Sequence, residues 1–100
     1  MARAKYVITD SAQADIRAII SYLRERSPQA AKLVRARLNS DIRRLGDFPH
    51  IGHSREDVTL QSLRFWSVYS YLVVYRADRR PIEILRVLHG AQDLPRFFEG

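Results

Sequence analysis

The sequence predicts an α+β fold, β-α-α-β-β-β in order, with a helical hairpin packed on a small antiparallel sheet. Three observations lead there. Two consecutive segments carry apolar residues at steps of three and four, separated only by Ser27-Pro28. Two runs rich in aromatic and β-branched residues, Leu63–Tyr75 and Pro81–Leu88, flank the short polar turn Ala77-Asp-Arg-Arg80. One hundred residues leave room for a single core, so both helices must lay their apolar stripes on that sheet.

Lys5–Thr9 reads as an opening strand, and Asp10 or Ser11 offers a side-chain oxygen to cap the helix after it. From Ala12 to about Arg26 the stripe is Ala12, Ile16, Ile19, Ile20 and Leu23. Ser27 then serves as a new cap and Pro28 as the first helical residue. The second helix is expected from Pro28 to roughly Leu45, with Ala31, Val34, Leu38, Ile42 and Leu45 inward and Lys32, Arg35, Arg37, Arg43 and Arg44 flanking them. Gly46 and Pro49 mark its end.

Phe48–Gln61 is a polar loop without periodicity. Strands are expected at Leu63–Trp66, Val68–Arg76 and Ile82–Leu88, and a closing turn at Ala91–Phe98. In the middle strand Val68, Leu72 and Val74 alternate with Tyr69, Tyr71, Val73 and Tyr75. The tyrosine-rich set is expected to face away from the helices, as an exposed aromatic binding face. Tyrosines that merely decorate a sheet are the duller reading.

Composition narrows the function. Lys and Arg number 17 against 11 Asp and Glu, for a net charge of +6, and 15 of the 17 are arginine. Arginine grips carboxylate and phosphate in bidentate fashion, so an acidic protein, a nucleic acid or both fit this surface. The absence of cysteine excludes a disulfide framework and thiolate chemistry. The N-terminus carries no apolar signal core and no stretch reaches membrane-spanning length, so a cytoplasmic location is expected. His50 and His53 stand three apart without cysteine or a third ligand nearby, which argues against zinc. No metal or cofactor is expected.

An ordered set of residues resembles the ParE branch of the RelE/ParE toxins. It comprises Tyr6, Ala12-x-x-Asp15-Ile16-x-x-Ile19-x-x-Tyr22, Leu45-x-x-Phe48-Pro49-x-x-Gly52, Leu63-Arg64, Tyr71–Arg76 and Ile84–Ala91. These are the toxin halves of type II toxin–antitoxin modules, often described as plasmid-stabilisation proteins. The resemblance implies a toxin held inactive in a hetero-oligomer with a ParD-like antitoxin, which alone contacts operator DNA. Charge and strand-edge arguments make that antitoxin acidic. ParE-like members are understood to block DNA gyrase and trap cleaved DNA, whereas RelE-like members cut messenger RNA on the ribosome.

Candidate residues follow. Antitoxin contacts are expected at Ile16, Ile20, Val34, Arg35, Leu38, Arg64 and Trp66, and target contacts at Tyr69, Tyr71, Arg86 and His89. A ribonuclease would cast Arg64, Arg86 and His89 as acid, base and charge stabiliser, with Tyr71 positioning. Arg86 and His89 differ by three, so a regular strand points them to opposite faces unless a bulge near Leu88 intervenes. Lysine occurs only at Lys5 and Lys32, far from that region, and His89 lies in a Leu-His-Gly-Ala setting similar to ParE-like members. Those members carry arginine where this chain has Gln92. The leading reading is therefore a non-catalytic inhibitor. Each residue also has a structural reading: His89 as a hydrogen-bonding strand end, Arg64 paired to Glu83, and Trp66 as packing.

Overall fold

The computed structural model describes residues 4–54 and 63–90. Along the chain run β1 (Tyr6–Ile8), α1 (Asp10–Arg26), α2 (Pro28–Asp47), β2 (His53–Ser54), β3 (Leu63–Val68), β4 (Tyr71–Arg76) and β5 (Ile82–His89). The sheet order is β1-β5-β4-β3-β2. The two helices and β5 are where the sequence puts them, and β3 and β4 form as expected but with a later turn between them. The sheet, however, is mixed and five-stranded. β1 lies parallel to β5, and the two-residue β2 adds an antiparallel edge beside β3. Periodicity identifies a strand without naming its neighbour, and β2 is too short to have any.

The start of α1 is fixed by Thr9 rather than by Asp10 or Ser11. Its Oγ1 accepts from the Ala12 N–H at 3.2 Å and donates to the Leu85 carbonyl at 3.0 Å, so one hydroxyl caps the helix and ties it to β5. Asp10 instead occupies the first turn, where negative charge complements the helix dipole. Ser27 serves both helices as expected. Its N–H closes α1 on the Leu23 carbonyl at 2.7 Å, and its hydroxyl accepts from the Ala30 N–H at 3.2 Å.

α2 continues through Gly46 to Asp47, so Gly46 is not its terminator. A Cβ there would stand 3.0 Å from the Tyr6 ring and 3.2 Å from Lys5 Cβ, so the residue lets α2 close on β1. Of the expected polar loop, residues 55–61 lie outside the described region, as does the closing turn at 91–98 with Gln92.

β3 runs on to Val68, and the chain reverses at Tyr69-Ser70 rather than at Ser67. The faces of β4 are the reverse of the sequence expectation. Val73 and Tyr75 are buried towards the helices, with Tyr71 partly buried beside them, in one cluster with Ala12, Ile20, Ala31, Val34, Leu38, Ile42 and Leu45. The other face holds Leu63, Phe65, Val74 and Leu88, flanked by Leu72 and Leu85, and is buried too. With both sides apolar, alternation alone cannot say which meets the helices.

Candidate functional site

Three polar constellations organise the surface. The first locks the loop after α2. The Tyr75 hydroxyl donates to the Pro49 carbonyl at 2.7 Å and accepts from the Gly52 N–H at 2.9 Å. Arg64, opposite Tyr75 across the β3–β4 ladder, donates to the carbonyls of Gly52 at 2.8 Å and His50 at 3.3 Å. Any Cβ on Gly52 would overlap the Tyr75 hydroxyl oxygen, which explains the glycine. Arg64 therefore holds backbone and not Glu83, whose carboxylate lies 3.8 Å from Arg79. Burial pushes the Tyr75 hydroxyl above its ordinary pKa, and the Gly52 N–H and Arg64 charge pull against it.

The second joins α1 to β5. Asp15 accepts from Arg86 Nε at 2.7 Å, from its Nη2 at 3.1 Å and from the Val87 N–H at 2.9 Å. A bulge precedes this point, because Val74 pairs Arg86 while Tyr75 pairs Ile84, leaving Leu85 as the extra residue. It falls before Arg86 rather than near Leu88, so the three-residue spacing from Arg86 to His89 stays regular.

The third lies at the sheet end formed by the β3–β4 turn and the last residues of β5. Tyr71 pairs with His89 across the ladder, their rings 5.7 Å apart and tilted by 54°. Burial raises the Tyr71 pKa, and the neighbouring Tyr22 phenol on α1 raises it further. Arg26 lies 3.8 Å over the Tyr22 ring. Tyr69 sits at the turn with φ 55°, 61% exposed, with the Arg37 guanidinium 6.0 Å from its ring centre. Arg37 is itself held through Nε by both oxygens of the buried Asp41, which also accepts from Trp66 Nε1 at 3.0 Å.

The sequence candidates sort accordingly. Tyr71 and His89 come together and Tyr69 lies in the turn two residues before Tyr71, while Arg86 is engaged with Asp15. Arg64 is opposite Tyr75, four residues along the strand from Tyr71, or about 13 Å. The four ribonuclease candidates thus do not converge. Of the antitoxin candidates, Val34 and Leu38 are core residues and Ile16 packs against that core. Ile20 and Arg35 line a groove between the helices with Arg24, Pro28, Ala31 and Lys32. Trp66 packs under α2, bonded to Asp41.

Tyr22, Arg26, Arg37 and Asp41 take part in these contacts and are not among the sequence candidates. Tyr22 falls outside the apolar stripe of α1 and carries no charge to mark it, and Asp41 in an arginine-rich helix reads as solvated. Among the described residues no cluster of three or more His, Cys, Asp or Glu could hold a metal, and no helix is long and apolar enough to cross a membrane.

Comparison with known proteins gives the family. The profile described as ParE toxin of type II toxin-antitoxin system, parDE, matches residues 6–94. The chain belongs to the ParE toxin family. Toxin ParE3 of Caulobacter vibrioides is 38% identical over 58 residues, which is 58% of this chain and 57% of that protein. The chain therefore spans little more than half the length of this curated relative. A chain of the chromosomal ParDE TA system from P. aeruginosa superposes with a TM-score of 0.73 over 87% of this ParE chain and 96% of its own, at 19% identity. That likeness establishes the shared fold.

Proposed function

We propose that this ParE chain is a non-catalytic inhibitor of DNA gyrase, silenced by an acidic antitoxin. Family membership over residues 6–94 carries the reading. Geometry supports it, because Arg64 and Arg86 are committed to carbonyls and to Asp15, away from the Tyr71–His89 pair. Tyr69, Tyr71 and His89 form the target face, and Arg86 acts behind it by fastening β5 to α1.

The antitoxin occupies the groove between the helices. Ile20 and Ala31 are buried in it and Pro28, Arg24, Lys32 and Arg35 are exposed along it, so it suits a segment with apolar residues on one side and carboxylates on the other. Operator DNA is contacted through the antitoxin, and the working assembly is a hetero-oligomer located in the cytoplasm.

Purified protein added to gyrase and relaxed plasmid should halt supercoiling and accumulate cleaved DNA. Undiminished supercoiling at excess toxin contradicts the reading. So would new 5′ ends on translated message that disappear in Arg64→Ala and His89→Ala.

A further inference from the structure

We propose that the Tyr69–Tyr71–His89 end of the sheet, completed by Tyr22, Arg26 and Arg37 from the helices, binds unpaired nucleic-acid bases on a single strand. The proposal rests on that end being the target face, and it gives the face a ligand chemistry: planar bases carried on phosphate.

Three side-chain contacts, Tyr71–His89, Tyr22–Arg26 and Tyr69–Arg37, supply four rings and two guanidinium planes. Tyr71 and His89 are ring neighbours, Tyr22 stands beside Tyr71, and Arg26 caps Tyr22. Tyr69 lies in the turn that precedes Tyr71, with the Arg37 guanidinium 6.0 Å from its ring centre. Tyr22 is 55% exposed and the Arg37 side chain 57%, so both have surface to offer. Rings with interleaved arginines are what single strands use, since every base has a face to stack and every linkage a charge.

The acid inside the patch does not spoil its sign. Asp41 is buried and already shared between Arg37 and Trp66. It holds the Arg37 Nε edge and so sets the guanidinium beside the Tyr69 ring.

Backbone strain points the same way. A positive φ suits glycine or asparagine, and a bulky aromatic there is strained. Tyr69 adds nothing to the core in exchange, since its ring is mostly exposed. Retaining a ring at a position where glycine is less strained fits a role outside the fold.

The test uses the free full-length toxin with fluorescently labelled oligodeoxythymidine, oligouridine and a blunt duplex, read by polarisation at low salt. Single strands should bind more tightly than the duplex, and the two oligonucleotides distinguish DNA from RNA as the natural source. Tyr69→Gly should weaken single-strand binding on the order of tenfold while leaving the melting temperature unchanged or higher. Lys32→Glu, in the helix groove, should weaken it much less. Equal binding of duplex and single strand, with Tyr69→Gly without effect, would overturn the proposal, because backbone charge alone would then suffice. Absence of binding at about 50 mM salt would overturn it as well. A toxin that stalls gyrase yet binds no strand refutes this inference alone and leaves the inhibitor reading intact.

Discussion

Single residues here are fixed by what their polar atoms reach, and Tyr75 is the clearest case. Its ring is fully buried, and its hydroxyl satisfies one buried carbonyl and one buried N–H of the loop after α2. Tyr75→Phe keeps the packing and leaves both backbone groups without that partner, a loss of about 2–3 kcal/mol. A pH dependence follows from the raised pKa, whose main cause is burial. The folded state keeps the proton after the unfolded chain has released it, so the contribution is complete below about pH 10. It is lost as pH rises through the higher folded value. Urea unfolding near pH 8 and near pH 11 should show wild type losing more stability between the two than Tyr75→Phe. Equal losses would mean that Tyr75 does not couple folding to alkaline pH. None of this was legible in the sequence, where Tyr75 is one tyrosine among five and its partners lie 23 and 26 residues away.

Elements are joined at a few points where one side chain serves two of them. Thr9 and Asp15 both attach α1 to the bulged part of β5, the former to the Leu85 carbonyl and the latter to Arg86 and the Val87 N–H. Thr9→Ala should cost about 1 kcal/mol as a lost cap. Asp15→Ala should cost about 1–3 kcal/mol, since it removes two hydrogen bonds from Arg86 and the acceptor of the Val87 N–H. Both changes release the same three-residue segment, so in denaturant titrations the double variant should lose at least about 0.5 kcal/mol less than the sum. Strict additivity would show that the two ties act on β5 independently. The sequence made the helices legible through the stripes from Ala12 to Leu23 and from Ala31 to Leu45, and through Ser27-Pro28. It left the bulge at Leu85, the parallel seating of β1 and the short β2 unread, because each depends on a neighbour strand. It also misassigned the faces of β4, since Val73 and Val74 are equally apolar and both are fully buried.

At the scale of the molecule, the proposed function divides between two surfaces. The groove of Ile20, Pro28 and Ala31 lies between the helices, while the ring-and-arginine patch is centred on the end of the sheet. Both are basic, so total charge cannot separate their roles, but position can. Lys32→Glu with Arg35→Glu reverses two of the groove's three charges without touching a core residue or any hydrogen bond described above. Against an acidic antitoxin, that change replaces attraction by repulsion at the interface. It should slow association and weaken the complex by roughly tenfold or more at low salt, with a smaller effect at high salt as screening grows. Gyrase inhibition should persist, because these two residues lie outside the Tyr69–His89 patch. Binding kinetics against the antitoxin and a supercoiling assay on the same preparation decide the matter. A variant that loses both activities would merge the surfaces into one, and one that keeps full antitoxin affinity would move the antitoxin off the groove. On the proposed reading free toxin is what harms the cell, so the variant should also be more toxic than wild type when co-expressed with its antitoxin, an outcome that a change damaging the fold could not produce.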